Sequence, residues 1–348
     1  MGTPLRVVQW TTGNVGKRSV RAVVAHPDLE LVGCYAWSPD KVGRDVGELV
    51  GIDPVGITAT DDVDGLLALQ PDVVVYNPMW PNADEVIRVL EAGVNVVSTA
   101  AFVNGNANPA DRDRIAAACQ HGGASMFGTG ISPGFVDLLG IAMANICDRV
   151  DKLVVNEASD TTLYDSPTTE IPAGFGRPID DPELPGMAAK GTAVFGEAVA
   201  MMADALGVEL DEITCDAEYA QATEDVVMDS WTIPAGHVAG VAASWQGKVG
   251  DRTVVELNVR WKKGATLDPD WVIEEGHKII VEGRPTVSAR LEYLPPPDFE
   301  ATTFQDFMVL GMIMTAMPAV HAIPYVVAAA PGIVTYTDLP LPLPRGVT

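Results

Sequence analysis

Short apolar runs and amphipathic segments alternate strictly from residue 5 to residue 128, and this alternation constrains the fold more than any other feature of the chain. Strand-like runs occupy residues 5–10, 29–37, 72–76, 94–98 and 125–128. Helical spacing of apolar residues lies between them, at residues 15–25, 82–93 and 109–122. Consecutive strands joined through helices are expected to be parallel, with helices on both faces of one sheet.

The ends of two of these helices carry recognisable signals. Asn82 is expected to cap the helix at 82–93, with Glu85 completing a capping box and Gly93 ending it. The next helix begins at Pro109 and ends at Gly122, the positions that these residue types favour.

The pattern changes after residue 135. Helices are expected at residues 135–147 and 194–206, and strands at residues 152–159, 231–245, 252–261, 271–281 and 286–294. A Pro- and Gly-rich stretch at 161–190 is expected to form a lid, a binding loop or an arm, because such long irregular segments are usually functional. Two further helices are expected at 304–317 and 319–330.

These patterns predict an α/β fold with a parallel sheet in the first domain and an open mixed or antiparallel sheet in the second. The first domain, residues 1–148, is expected to be a dinucleotide-binding Rossmann domain. Residues 149–303 are expected to form an α+β domain, and residues 304–348 to pack back on the Rossmann domain.

Charge and cysteine usage narrow the class of partner. The chain has 22 basic and 47 acidic residues, a net charge of -25, which argues against a nucleic-acid or anionic-membrane partner. We find no apolar run near the roughly 20 residues of a membrane span. There is no basic leader with an apolar core, so a cytoplasmic protein is expected. The four cysteines are far apart, and neither a metal site nor a disulfide is predicted.

The turn after the first strand has the composition of a phosphate loop. It reads Thr11-Thr12-Gly13-Asn14-Val15-Gly16 and opens the first helix. Gly13 lets the backbone approach a diphosphate, Gly16 lets the helix pack on the strand, and the helix N-terminus offers free N–H groups. Thr11 stands where the fingerprint has its first glycine, so the motif is incomplete.

The end of the second strand bears on the choice of cofactor. Enzymes that use NAD place a carboxylate there to bind the ribose 2′-hydroxyl, and here the positions are Ala36, Trp37 and Ser38. Ser38 with Lys41 and Arg44, and Arg18 in reach, suits a 2′-phosphate, while Trp37 suits stacking on adenine. We therefore predict NADP(H) over NAD(H), with NAD as the alternative.

Three segments follow the carboxyl ends of later strands, where ligands bind in open α/β sheets. We expect them to contact the cofactor through Asn77, Pro78, Ser98, Thr99, Ala100 and Ser132. The last of these residues lies in a segment with three glycines and a proline, which is typical of a loop against a flat ligand.

Four stretches together resemble one known family: TTGNVGKR at 11–18, DVVVYNP at 72–78, GTGISPGFVD at 128–137 and AMPAVHAIPYVVAAAPGIVTYTDLP at 316–340. They are similar to the dihydrodipicolinate reductase-like family, which includes 2,4-diaminopentanoate dehydrogenase and native amine dehydrogenases. The resemblance implies a second domain for substrate binding and dimerisation, a homodimer, and reductive amination of a carbonyl with NAD(P)H. The family's catalytic glutamate is absent, because Ala101 and Phe102 occupy the matching positions, and the paired histidines of dihydrodipicolinate reductase are absent too.

A carbonyl or imine still needs a proton donor, and the second domain offers the candidates. Glu157 and Asp160 end a strand and Tyr164 follows, so a carboxylate–tyrosine group is expected there, with a loop-ordering network as the alternative. His237, early in a strand, is a further candidate, with a structural role as the alternative. If aromatic and apolar residues such as Phe102, Phe175, Met228 and Trp231 line the pocket, the substrate is apolar.

We therefore predict an oxidoreductase similar to amine dehydrogenase that acts on a small apolar carbonyl or amine. One alternative is a ketone or alcohol oxidoreductase that does not aminate. The other is an inactive NADP-binding sensor or scaffold, which the replacement of the family's acid by Ala101 and Phe102 favours.

Overall fold

The computed structural model describes residues 3–300 and 304–344. The chain forms two compact units, unit 1 with residues 1–135 and 311–348 and unit 2 with residues 136–310. Each unit contains its own sheet of seven strands. The domain limits at 148 and 303 drawn from the sequence stay predictions, because a grouping of contacts does not test independent folding.

Unit 1 is built on a parallel sheet, which confirms the predicted Rossmann-type fold. Its strands, numbered along the whole chain, are β1 Leu5–Trp10, β2 Leu29–Tyr35, β3 Ala59–Thr60, β4 Val73–Tyr76, β5 Asn95–Ser98, β6 Ser125–Gly128 and β16 Gly332–Val334. They lie in the order β16-β6-β5-β4-β1-β2-β3, and every pair is parallel. Most of the buried residues in these short strands are apolar, as expected of a sheet covered on both faces.

The helices of unit 1 are α1 Asn14–Ala25, α2 Val46–Val50, α3 Val63–Ala68, α4 Ala83–Glu91 and α5 Pro109–Gly122. Asn82 caps α4 as predicted, but the capping box is wrong. The amide of Asn82 donates to the Tyr76 hydroxyl, and that hydroxyl donates to Glu85. Glu85 also accepts a hydrogen bond from the Trp10 indole, so it ties the helix to β1 and β4 instead of closing a box.

Unit 2 contains a mixed sheet, mostly antiparallel, as predicted. Its strands are β7 Arg149–Asp160, β8 Glu212–Ala222, β11 Val238–Val249, β12 Arg252–Lys262, β13 Leu267–Asp268, β14 Gly276–Arg284 and β15 Val287–Leu291. Two short strands, β9 Val226–Val227 and β10 Thr232–Ile233, pair with each other. The sheet order is β13-β8-β11-β12-β7-β14-β15, and the pair β12–β7 is parallel.

The limits of two predicted strands are wrong. The run at 231–245 includes a turn in which Gly236 has a φ of 78°, so β11 begins only at Val238. The run at 271–281 begins with irregular chain, and β14 starts at Gly276. Apolar composition marked both segments, but composition alone does not show where a strand finds a neighbour to pair with.

The helices of unit 2 are α6 Val136–Ala144, α7 Pro167–Glu170, α8 Leu184–Gly191 and α9 Ala193–Ala205. Helices α6 and α9 pack on one face of the sheet, which carries buried Leu153, Val155 and Leu257. The stretch predicted as a long irregular loop contains α7, a single 3₁₀ turn at Ile171–Ala173 and α8, so it is partly helical.

The two helices predicted near the C-terminus are one helix, α10, at Met308–Val327, with Pro318 and Pro324 inside it. By length and composition α10 could cross a membrane, since its best window has a mean hydropathy of 1.5 and is 33% buried. The statement from the sequence that no run approaches a span is therefore wrong. The apolar sequence of α10 is interrupted by Thr315, Pro318, His321 and Pro324, but none of these residues ends the helix.

Candidate functional site

The turn between β1 and α1 compensates for its missing first glycine. Thr11 has a φ of 70°, in the left-handed region that the usual glycine adopts without strain. The buried Gln9 amide donates to the Thr11 carbonyl at 2.9 Å, which holds this backbone conformation. Gly16 has no room for a side chain, because an added Cβ would lie 2.4 Å from the Thr11 oxygen. The packing role predicted for Gly16 therefore fits its surroundings.

Gly13 differs from Gly16 because the space beside it is open. Its φ of -70° suits any residue, and apart from Gly13 and its two chain neighbours no described residue has a heavy atom within 4 Å of where its Cβ would stand. It precedes α1, whose first turn carries no acidic residue and receives no side-chain cap. Asn14 and Val15 open that turn, so free N–H groups and the positive end of the helix dipole are available to an anion.

Unpartnered polar atoms mark the same edge of the sheet. In the described part of unit 1, four buried side-chain atoms have no hydrogen-bond partner: Gln9 Oε1, Thr12 Oγ1, Arg18 Nε and Ser132 Oγ. Gln9, Thr12 and Arg18 belong to or flank the phosphate turn, and Ser132 follows β6. Buried polar groups usually find partners, so this set fits a polar ligand such as a dinucleotide. Burial and the nearby Arg21 lower the pKa of Arg18.

The segment after β2 differs from its prediction in one respect. Trp37 is 71% exposed, Arg44 is exposed, and the Lys41 ammonium lies 3.5 Å from the Thr12 carbonyl oxygen. The Ser38 hydroxyl, however, donates to the carboxylate of Asp40. A carboxylate thus stands where the sequence suggested none, two residues further along the chain than the expected position. The Ser38 bond holds the pKa of Asp40 below its usual value.

The ends of β4 and β5 are joined by a chain of side-chain hydrogen bonds. Gln9 donates to Asn77 at 2.7 Å, and Asn77 donates to the Thr99 hydroxyl at 2.7 Å. Pro78 follows Asn77 and is half-buried. Ser98 and Ala100 are buried and bonded to each other, the Ala100 amide donating to the Ser98 hydroxyl. Among the residues predicted to contact the cofactor here, Asn77 and Thr99 are therefore the two whose side chains are oriented by the hydrogen bonds that start at Gln9.

The residues at the family's acidic position have no acid–base function. Ala101 is exposed, whereas Phe102 is buried in the core cluster of unit 1 and its carbonyl lies against Gly128. The structure thus shows Phe102 as core and not as a pocket wall. Nearby, the hydroxyls of Thr129 and Tyr336 lie 2.7 Å apart, which connects the end of β6 to the segment after β16.

The predicted carboxylate–tyrosine group is not assembled among the described residues of unit 2. The Asp160 carboxylate accepts from Thr162, and the Tyr164 hydroxyl accepts from Thr169. His237 lies in the turn before β11, with its ring 3.3 Å from the Ala235 carbonyl oxygen. The strand that ends at Asp160 was predicted correctly, whereas His237 lies in a turn and not in the strand expected for it. Periodicity did not show which of these side chains meet.

Glu157 has a different set of partners. Its Oε1 accepts a 2.8 Å hydrogen bond from the Trp261 indole, and its Oε2 lies 3.5 Å from His277 Nε2. His277 faces Glu157 across the antiparallel pair β14–β7. Burial, with the carboxylates of Glu275 and Glu157 nearby, raises the pKa of Tyr293. The sequence analysis did not single out His277, because no local signal links it to Glu157.

Unit 2 also contains a buried ion pair that the sequence analysis missed. The Lys263 ammonium, fully buried, lies 2.7 Å from Glu170 and donates to the carbonyls of Thr161 and Tyr164. Burial lowers the pKa of Lys263 and raises the pKa of Glu170 to about 7, despite their attraction. Lys263, which directly follows β12, contacts three residues of the 161–190 segment: Thr161, Tyr164 and Glu170. These contacts hold the start of that segment next to the end of β12.

Of the other residues considered as pocket walls, Phe175 is buried at 1% exposure and belongs to the core. Trp231 is half-buried against Gly176, and its indole nitrogen has no partner among the described residues. Met228 is half-buried. Trp231 and Met228 therefore keep the exposure that contact with a substrate requires.

Comparison with known families covers nearly the whole chain. A model described as the 2,4-diaminopentanoate dehydrogenase C-terminal domain matches residues 135–346. A model described as the N-terminus of dihydrodipicolinate reductase matches residues 7–120.

Individual relatives agree. An amine dehydrogenase of Streptomyces virginiae is 34% identical over 97% of this chain and 96% of its own length. A 2,4-diaminopentanoate dehydrogenase of Acetoanaerobium sticklandii is 27% identical over 74% of this chain and 70% of its own length. Among solved structures, an amine dehydrogenase of Mycobacterium smegmatis has a TM-score of 0.80 at 19% identity, covering 98% of this chain and 97% of its own. The WlbA dehydrogenase of Bordetella pertussis, solved with NADH and UDP-GlcNAcA, has a TM-score of 0.54 at 14% identity over 94% of this chain and 88% of its own.

Proposed function

Since the chain belongs to the family of 2,4-diaminopentanoate dehydrogenase and amine dehydrogenase, and is an NAD(P)-dependent oxidoreductase, we propose that it catalyses the reductive amination of small apolar carbonyl compounds. In this reaction a ketone or aldehyde, ammonia, NADPH and a proton give an amine, NADP and water. The observation that carries the proposal is the similarity to an amine dehydrogenase along the full length of both chains.

The residues of unit 1 fit a dinucleotide. Gly13 leaves open the space that a diphosphate needs, and the uncapped first turn of α1 offers N–H groups to it. Thr12 Oγ1 and Ser132 Oγ are unpartnered donors, and Asn77 is oriented by Gln9 and Thr99. The bound nicotinamide supplies the hydride, and these residues bind and orient it.

NADPH is the proposed donor, with support from two cations after β2. Residues 38–44 form consecutive turns, in which the Lys41 amide donates to the Ser38 carbonyl and the Arg44 amide to the Lys41 carbonyl. A 2′-phosphate would attract both cations and be repelled by Asp40. We expect the double variant K41A/R44A to weaken NADPH binding about 10- to 100-fold and NADH binding less than twofold, and D40N to favour NADPH further. Tighter binding of NADH than NADPH by the wild type would contradict the preference.

Glu157 is the proposed proton-transferring group. Its side chain is 17% exposed, so a substrate can reach it, and the Trp261 indole fixes one of its oxygens. In the reductive direction it gives a proton to the departing hydroxyl, which leaves as water. Asp160, Tyr164 and His237 remain secondary candidates. We expect E157Q to lower kcat about 10²- to 10⁴-fold, with NADPH affinity unchanged.

The proposed substrate is an apolar carbonyl, with support from the half-buried Trp231 and Met228. The proposed assembly is a cytoplasmic homodimer, on the basis of the family alone. Light scattering on the purified protein measures the mass of the assembly, and a mass of 36.8 kDa would contradict the dimer.

The deciding experiment follows NADPH consumption with a panel of aliphatic and cyclic ketones, with and without ammonium, and identifies the product amine by mass spectrometry. Reductive amination predicts turnover that requires ammonium and gives the amine. Equal turnover without ammonium, giving the alcohol, would assign the chain to the ketone reductases. Tight NADPH binding with no turnover would instead assign it a sensor or scaffold role.

A further inference from the structure

The tip of the hairpin formed by β9 and β10 is held by two sets of hydrogen bonds. Within the tip, the Met228 amide donates to the Trp231 carbonyl at 3.0 Å. From outside it, the Asp165 carboxylate accepts from the Ser230 amide at 2.7 Å and from the Ser230 hydroxyl. Asp165 belongs to the Pro- and Gly-rich segment that precedes α8. The backbone that carries Trp231 is therefore held both within the hairpin and by a second part of unit 2.

The Trp231 ring packs on the backbone of Gly176. A Cβ added to Gly176, which has a φ of 76°, would lie 2.7 Å from Trp231 Cζ3. The indole nitrogen has no hydrogen-bond partner among the described residues, so packing sets the position of the ring. Trp231 is half-buried, as is Met228 beside it, so part of the ring stays accessible to a small molecule.

This contact lies at the same end of the unit 2 sheet as Glu157, the proposed proton-transferring group. Strands β7 and β12 are parallel and β11 is antiparallel to β12, so β11 begins at the end where the other two finish. The Gly176 amide donates to the carbonyl of Val238, the first residue of β11, at 2.8 Å. Glu157 lies near the end of β7.

A series of contacts on one face of the sheet connects Glu157 to the backbone beneath the indole. The Trp261 indole donates to Glu157 at 2.8 Å. Lys263 lies on the side of Trp261, because alternate residues of a strand share a face and the Lys263 amide still pairs with β11. The Lys263 ammonium lies 5.9 Å from the centre of the Phe175 ring, and Phe175 directly precedes Gly176.

We propose that Trp231 is a specificity-determining residue that ends the substrate pocket and limits the length of the apolar chain beside the carbonyl. The inference rests on the proposed function. The ring does not move aside for a longer chain, because the hairpin tip is held and Gly176 blocks one side of the indole. Short-chain ketones and aldehydes are then the preferred class, and longer chains are excluded by overlap with the ring.

Ammonium-dependent kcat/KM for 2-butanone and 2-octanone measures this limit. We expect the wild type to prefer 2-butanone at least about 30-fold, and W231A to raise the ratio of 2-octanone to 2-butanone at least about 100-fold, since a single methylene in an apolar pocket changes kcat/KM about 10- to 200-fold. W231F keeps a smaller ring and should raise the ratio less, by about 5- to 20-fold.

Asp165 supplies a second test, because it acts on the limit only through the hairpin. D165A removes both hydrogen bonds of Ser230 and should raise the ratio of 2-octanone to 2-butanone about 3- to 10-fold in the wild-type background. In the W231A background D165A should change the ratio less than about twofold, since the ring that it positions is already absent.

Controls separate a folding defect from a changed pocket. Val227, 75% exposed on the same hairpin, gives V227A, which should match the wild type for both ketones. NADPH affinity and the melting temperature report whether W231A folds, and W231F decides the question if it does not. A ratio unchanged in the folded Trp231 variants, or one that moves toward 2-butanone, overturns the inference while the proposed function stands. If the wild type aminates no carbonyl, the proposed function fails and the inference fails with it.

Discussion

Replacing Lys263 by methionine removes a cation that is fully buried and makes three contacts. The carbonyls of Thr161 and Tyr164, at 2.6 and 2.7 Å, each lose a donor, and Glu170 loses its counter-charge. Removing one partner of a buried pair typically destabilises a protein by about 3–5 kcal/mol, because the other charge stays buried. Here protonation of Glu170 relieves part of that cost.

The magnitude therefore depends on pH. At pH 6 the Glu170 carboxyl, whose pKa is about 7, is mostly neutral, so the cost is that of two lost hydrogen bonds, about 2 kcal/mol. Without Lys263 the pKa of Glu170 rises further, so its neutralisation costs about 1.4 kcal/mol for each additional pH unit above 7. We expect K263M to be destabilised by about 2 kcal/mol at pH 6 and about 3 kcal/mol at pH 8.

Urea denaturation followed by circular dichroism at both pH values measures this difference. The control is K262M, since Lys262 is half-buried and is the last residue of β12, directly before Lys263, and a change below about 0.5 kcal/mol is expected. Compared with E170Q, the double variant K263M/E170Q should lose as much unfolding free energy at pH 8 as at pH 6. The loss does not grow with pH because no carboxyl remains at position 170 to be neutralised. A cost for K263M below about 1 kcal/mol at both pH values, or one that does not grow with pH, would refute the reasoning.

Three further predictions concern single residues. G13A should lower NADPH affinity at least about tenfold and leave the melting temperature unchanged. G16A should lose about 1–3 kcal/mol of stability, because its Cβ would lie 2.4 Å from the Thr11 oxygen. If both variants changed NADPH affinity and melting temperature equally, this distinction between the two glycines would be contradicted. T11G should raise stability by about 1 kcal/mol by relieving the positive φ, and a loss of stability on chemical denaturation would count against strain at this turn. The raised pKa of Glu170 means that the folded state binds a proton more tightly than the unfolded state, so its stabilising contribution is present below pH 4.5 and is lost between pH 4.5 and 7. Relative to E170Q, the wild type should lose about 3 kcal/mol over this range, and parallel pH profiles from denaturation curves would exclude the effect.

Local patterns in the sequence were sufficient to predict the two sheets. The strands Leu5–Trp10 and Ser125–Gly128 and the helix Pro109–Gly122 have the predicted limits, because apolar runs, Pro and Gly act on the chain near where they stand. Gly13 and Gly16 were identified for the same reason, since the turn they form is a local structure. The sequence alone thus determined the fold class and the position of the phosphate turn.

Which side chains meet was decided by the tertiary structure. Glu157 contacts His277 because β14 pairs antiparallel with β7 in one particular register, and a shift of one residue would turn either side chain to the opposite face. Glu170 meets Lys263, 93 residues away along the chain, and apolar spacing gives no sign of that pairing. The spacing of apolar residues indicates which face of a helix or strand is buried. Which side chain that face meets depends on strand order and register, and these are set by packing between residues far apart in the sequence.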